Sequence, residues 1–228
     1  MLYKFLEEQY LNAFFSRGSL RIGTIYDFKD TVAHTSARAD SGEGWHQLSR
    51  SFTSPVEFTN IENEPIINEF FEISGGTVIS FENMSFTTTR DSGDGFIFCT
   101  SRYYSKELFL KWHIDSSNND ACYAIMNPGT FFDAITNKIR NSVCHFFNAN
   151  IVYTTDPILY DSPDAKQSPA ITKEMNKYSW QCENRSVWSP RLPPFRVRPF
   201  IIEVPEAIQY CKPLSYIKDG SIIEYKQS

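Results

Sequence analysis

Apolar and polar positions along this chain follow two periods, and the changes between them outline its elements. Leu2 to Phe5 reads as a short opening strand. Glu7 to Arg17 then places Leu11, Phe14 and Phe15 on one side at helical spacing, and Gly18 stops the helix. From Ser19 to Ile25, Leu20, Ile22 and Thr24 alternate with Arg21, Gly23 and Ile25, which predicts a second strand running into the turn signal Tyr26-Asp27-Phe28-Lys29-Asp30.

The stretch Thr31 to Gln47 is polar, without a period, and concentrates Arg38, Asp40, Glu43 and His46. Such a segment either closes over a ligand or is a solvated loop. Strands are expected at Gln47 to Phe58, Gly76 to Phe86 and Gly95 to Thr100, the last so apolar that it belongs at the centre of a sheet. Ser101 at its end either joins a site or caps a helix over Tyr104 to Trp112.

Further on, Ala121 to Met126 reads as a strand. Asn127-Pro128 starts a helix whose apolar stripe is Phe131, Phe132, Ala134, Ile135 and Ile139. Strands at Asn150 to Tyr153, Pro199 to Val204 and Ser221 to Tyr225, a short helix at Ile171 to Tyr178 and a helical turn at Pro205 to Ile208 complete the reading. The order of elements predicts a single α+β domain over 1–228, with central mixed or mostly antiparallel sheets and short flanking helices.

One short segment carries candidate chemistry. Trp180-Gln181-Cys182-Glu183-Asn184-Arg185 sets an amide, a carboxylate and a guanidinium at every second residue, so an extended backbone projects Gln181, Glu183 and Arg185 from one face. A Gln-x-Glu pair there suits sugar chemistry, the amide holding a hydroxyl and the carboxylate stabilising a developing oxocarbenium ion. The same residues also make an ordinary strand face with a Glu/Arg pair.

Composition narrows the alternatives. The 228 residues are 41% apolar and 15% aromatic, enough for a sizeable core. A net charge of −5 argues against general coating of nucleic acid, with Arg191, Arg196 and Arg198 around Pro193 and Pro194 the one candidate basic patch. The odd, widely spaced Cys99, Cys122, Cys144, Cys182 and Cys211 read as reduced thiols, with no zinc spacing. The N-terminal residues mix charge with apolar side chains, unlike a secretory core, and no window of about 18 apolar residues predicts a membrane span. A cytoplasmic protein is the expectation. His113 lacks a Ser or Cys nucleophile in a recognisable turn and reads as structural. Asp27, Asp30, Asp40 and Glu43 supply carboxylates for a metal phosphodiesterase but no fixing spacing. Trp112 and Trp180 read as core, whereas Trp45 and Trp188 lie in polar surroundings and are the candidates for an exposed stacking surface.

The Leu2-Tyr3-Lys4-Phe5 opening, Gly18-Ser19-Leu20-Arg21, Tyr26-Asp27-Phe28-Lys29-Asp30, Arg38-Ala39-Asp40 with Glu43-Gly44, Phe98-Cys99-Thr100-Ser101, and Lys177 with Trp180, Glu183 and Arg185 together resemble the bacterial domain-of-unknown-function 2971 group. The turn departs from the group's Phe-Asn-Asp-Pro. More distantly, Thr100-Ser101 and Gln181-Cys182-Glu183 are similar to the second and third strand elements of the ADP-ribosyltransferase fold; the first, an Arg or His, has no direct counterpart in Tyr3-Lys4.

That resemblance implies an enzyme cleaving the nicotinamide–ribose bond of NAD, its substrate, and passing ADP-ribose to a protein or nucleic acid, as a toxin or phage-defence effector does. Glu183 and Gln181 would be catalytic, the first stabilising the ribosyl cation and the second orienting the acceptor. Tyr3, Lys4, Arg21, Thr100, Ser101 and Arg185 would hold the cofactor, with Arg21 or Lys4 on the pyrophosphate. The competing expectation is a non-catalytic nucleotide-sensing or protein-binding adaptor. In an enzyme Gln181, Glu183 and Thr100 converge on an open cleft; in an adaptor Glu183 and Arg185 pair and fill it.

Overall fold

A computed structural model of the protein describes residues 1–30, 32, 39–58, 65–71, 78–116, 119–155, 157–192 and 197–226. In chain order the elements are β1 (Leu2–Leu6), α1 (Glu8–Arg17), β2 (Ser19–Thr24), β3 (Trp45–Phe52), β4 (Val56–Phe58), α2 (Pro65–Phe70), β5 (Ile79–Phe81), β6 (Met84–Asp91), β7 (Phe96–Ser101), α3 (Lys106–Ser116) and β8 (Ala121–Ile125). They continue with α4 (Pro128–Ile139), β9 (Val143–Asn150), β10 (Val152–Thr154), β11 (Ile158–Leu159), β12 (Thr172–Glu174), α5 (Met175–Tyr178), β13 (Glu183–Pro190), β14 (Phe200–Glu203), β15 (Cys211–Lys218) and β16 (Ser221–Glu224). The architecture is α+β, with mostly antiparallel sheets and a few short helices.

A nine-stranded sheet forms the body, with path β14-β2-β7-β1-β8-β15-β16 and with β13 and then β9 added on the far side of β7. β7 and β8 lie at its middle because nearly all their residues are buried on both faces, as their unbroken apolar runs require. α1 and α4 cover one face, seating Leu11, Phe14, Phe131, Phe132 and Ile135 against Phe98, Tyr123, Ile125 and Trp188. On the other face α3 packs Leu108 and Phe109 on Phe5 and Cys122, and Trp112 and Trp180 lie partly buried against this cluster. A smaller β11-β3-β6 sheet, a β4-β5 pair and a parallel β10-β12 pair lie outside the main sheet.

Several expected boundaries change. The strand predicted over Gln47 to Phe58 starts earlier and breaks into β3 and β4, and the described part of Gly76 to Phe86 is β5 and β6 joined through Asn83 at φ 52°. Ile171 to Tyr178 is not one helix: Thr172–Glu174 pairs in parallel with β10, and only Met175–Tyr178 is helical. β9 and β15 were not expected. β9 mixes Asn and aromatic residues, and β15 carries Pro213 beside an irregularity in its register, so neither shows a clean period.

Two side chains also correct the reading. Trp188, expected on an exposed surface, is 0% exposed because β13 lies between β7 and β9; its indole N–H donates to Thr136 Oγ1 at 2.8 Å. The cap of α3 is Ser105, whose hydroxyl accepts from the Leu108 amide at 3.1 Å, not Ser101. Of the basic stretch, Pro193, Pro194 and Arg196 lie outside the described residues, and Arg191 bonds the carbonyls of Arg140 and Val143. Arg38 is likewise outside them. Among the described residues no helix is long and apolar enough to cross a membrane.

Gly18 fixes the hinge between α1 and β2. Its φ of 72° is left-handed, and a Cβ there would stand 2.3 Å from the Val204 carbonyl carbon. Gly18→Ala should therefore cost about 3 kcal/mol and lower Tm by roughly 6–12 °C in a thermal melt.

Candidate functional site

The site begins with a gap in pairing along one edge of β7. β13 follows the other edge over its whole length, from Glu183↔Ser101 to Trp188↔Phe96. On the near edge β2 pairs only at Gly23↔Ile97 and Thr24↔Phe96, and β1 only at Tyr3↔Ser101. Phe98, Cys99 and Thr100 thus face neither strand in register. Lys4 reaches into this opening and donates from Nζ to the Cys99 carbonyl at 2.7 Å, with its ammonium 4.3 Å from the Phe98 ring. An edge carbonyl that no strand takes up is thereby satisfied by a lysine.

A cleft of about 620 Å³ opens here, and Tyr3, Lys4, Arg21, Thr100, Ser101, Gln181, Glu183 and Arg185 all line it. They do not all face the same way. Glu183↔Ser101 and Arg185↔Cys99 put those side chains on the α3 side of the sheet, whereas Lys4 and Thr100 alternate to the other side. Thr100 Oγ1 donates to the Asn184 carbonyl at 3.1 Å, and Ser101 Oγ lies 2.9 Å from the carbonyl oxygens of Tyr103 and Gln181. These hydroxyls tie strands and turns together. Arg21 pairs with Asp27 at 2.7 Å at the rim.

Gln181 is not on the strand. It ends a short 3₁₀ turn, Ser179–Gln181, and Cys182 at φ 46° leads the chain into β13. The period of two therefore holds only for Glu183 and Arg185. Gln181 still reaches the same group of side chains, because Lys173 Nζ stands 3.4 Å from its Oε1.

At the floor of the cleft, Arg185, Glu183, Glu43 and Lys173 form a buried ionic cluster, each side chain at most 6% exposed. Arg185 donates to Glu183 Oε1 from Nε at 3.0 Å and from Nη2 at 2.9 Å, to Glu43 from both Nη atoms, and to the Ala170 carbonyl at 2.6 Å. Every N–H of the guanidinium fork has an acceptor. Lys173 Nζ lies 2.8 Å from Glu183 Oε2 and 3.7 Å from Glu43 Oε2. Formal charge cancels within this set.

Burial by itself raises the Glu183 pKa, but the charges of Arg185 and then Lys173 outweigh it and hold the carboxyl at about 2. Burial pushes the neighbouring Cys99 thiol up to about 12, so it stays protonated and donates to Glu183 rather than acting as a nucleophile. The Glu183 amide donates to the Tyr153 hydroxyl at 2.8 Å, and burial lifts that phenol to about 12. Asp40 lies nearby with its pKa raised, first by burial and then by Glu43.

Lys173 and Tyr153 had no site role in the sequence reading, and Glu43 appeared there only in a possible lid and among the carboxylates considered for a metal. Glu43 sat in a stretch read as lid or solvated loop, and it is 1% exposed instead. Its neighbour Gly44 gives the turn that buries it, at φ 72° and so close to Ile25 that an added Cβ would stand 2.5 Å from Cγ2. Lys173 was hidden by the expected helix, since only a strand at Thr172–Glu174 points it inward. Of the carboxylates considered for a metal, Glu43 is held by Arg185 and Asp27 by Arg21, and among the described residues there is no group of three or more metal-ligating side chains. His113 does not line the cleft.

Comparison with protein-family models, with curated proteins and with solved structures finds no match to this chain.

Two outcomes test the cluster. Glu183→Gln leaves two buried cations facing one carboxylate and should cost about 3–5 kcal/mol in urea unfolding at pH 7. A carboxylate whose pKa folding depresses stabilises the native state above its unfolded value and loses that contribution as pH falls toward the folded one. Between the ordinary 4.5 and about 2, the wild type should lose about 3 kcal/mol at Glu183 that the Gln variant does not lose. Asp40, shifted upward, works in the opposite direction over the upper part of this window, so an Asp40→Asn background sharpens the measurement.

Proposed function

We propose that the chain is a nucleotide-binding domain of ADP-ribosyltransferase-like layout, which takes NAD into the cleft between β1 and β2 and holds it without turnover. The observation that carries this reading is the state of Glu183. Both of its oxygens are occupied, one by Arg185 and the other by Lys173, and the residue is 4% exposed. Stabilising an oxocarbenium ion needs negative potential aimed at the ribose carbon, and two cations within about 3 Å cancel that potential at short range.

Binding is supported on separate grounds. The cleft has the size of a small-molecule site, with Tyr3, Phe28 and Trp112 for flat rings and Lys4 and Arg21 for an anion. Charge-assisted donors of this kind suit a pyrophosphate. Sensing of a nucleotide, with a partner protein receiving the signal, is the role that fits a filled, uncatalytic floor.

The transferase reading, with NAD as substrate and a protein or nucleic acid as acceptor, keeps one observation in its favour. Gln181 and Glu183 line the same cleft as Thr100 and Ser101, as that chemistry requires. In such an enzyme substrate binding would have to draw Lys173 away from Glu183.

Calorimetric titration with NAD, run beside a nicotinamide-release assay, separates the readings. Saturable binding with release at the buffer background is expected, and Lys4→Ala should weaken binding about tenfold, the loss of one charge-assisted bond. Release that disappears in Glu183→Ala would favour the transferase. A folded protein that binds no NAD would remove both.

A further inference from the structure

Outside the cleft, a second group of side chains is built to hold a cation. Lys29 places its Nζ 3.9 Å from the ring centroid of Tyr26 and 3.9 Å from that of Trp45, within the range of cation–π attraction for both. The two rings are tied together by one carboxylate. Tyr26 OH donates to Asp91 at 2.8 Å, and the Trp45 indole N–H donates to Asp91 as well.

Asp91 is itself held by the Gly93 amide at 2.6 Å, while Asp94 accepts from the Tyr26 amide at 3.0 Å. None of these bonds involves Lys29. The rings therefore keep their places whether or not the lysine lies between them. Burial lowers the Lys29 pKa, against the opposing pull of Asp91, Glu43, Asp94 and Asp40, so the ammonium sits where water is partly excluded. Trp45 is nonetheless 48% exposed, which leaves the cage open to solvent on one side.

We propose that Tyr26, Trp45 and Asp91 form a binding site for a small alkylammonium ion, in which Lys29 is a tethered occupant that such a ligand displaces. Two π-faces with a carboxylate beside them are the elements that recognise a quaternary ammonium group, which needs no hydrogen-bond acceptor. A tethered lysine acts as a competitor at an effective concentration set by its short connection, so the cage binds weakly in the wild type and more tightly once the lysine is removed.

Displacement also reaches the cleft. Lys29 ends the turn Asp27–Lys29, and Phe28 within that turn lines the cleft and packs on Gly23, where an added Cβ would stand 2.8 Å from the ring. The ammonium site does not rest on the nucleotide reading of the cleft.

The test is titration of the full chain with tetramethylammonium, followed on the ligand's own NMR signal and on the Gly23 amide. Lys29→Ala, or Lys29→Met if the alanine variant melts early, should bind at least about tenfold more tightly than wild type. Adding Trp45→Ala or Asp91→Asn should abolish that gain, and in the wild type saturating ligand should shift the Gly23 amide. A folded Lys29 variant that binds no more tightly than its Trp45→Ala derivative would overturn the site. A Gly23 amide unmoved at saturation would overturn its link to the cleft.

Discussion

Arg185 is a guanidinium with almost no access to water, and the arrangement around it follows from that. An unpaired charge so placed would be several kcal/mol too costly for a domain of ordinary stability, so each N–H has to meet an acceptor. The acceptors come from three parts of the chain: Glu183 two residues away on β13, Glu43 from the turn before β3, and the Ala170 carbonyl ahead of β12. Lys173 then balances the second carboxylate. One buried cation thus joins the turn before β3 and the approach to β12 to the main sheet at β13.

The cluster also forms the floor of the cleft, so stability and chemistry draw on the same residues. A carboxylate held at about 2 by two cations is a good structural anchor, and for the same reason a weak source of catalytic potential. The opening above it has a different origin. β1 and β2 are joined by α1 and approach β7 at opposite ends, leaving the stretch from Phe98 to Thr100 to be satisfied by Lys4 rather than by a strand. On the opposite face of β13, Asn184 exchanges side-chain bonds with Asn148 at 2.7 and 3.1 Å and reaches Asn150 at 3.0 Å. That polar seam pins the β9–β13 register behind the cluster.

Elements with a clear period were legible in the sequence: the stripe of α4, the stop of α1 at Gly18, and the unbroken apolar run of β7. Elements were missed where polar residues serve buried partners. β9 was obscured by Asn148 and Asn150, and the strand carrying Lys173 by helix-like neighbours. Trp188 misled for a similar reason, since its polar neighbours Ser186 and Ser189 lie on a strand covered on both sides.

The sequence by itself determined that Glu183 and Arg185 share a face, because a strand's alternation is local. It also determined the apolar faces of α1 and α4 and the class of the fold. Only the tertiary structure decided what that Glu/Arg pair meets. Glu43 and Lys173 stand about 140 and 12 residues from Arg185 along the chain, and no local pattern specifies such a meeting. Their convergence depends on sheet order and on the turn at Gly44, and it converts a pair that reads either as solvated or as catalytic into a buried, neutralised one.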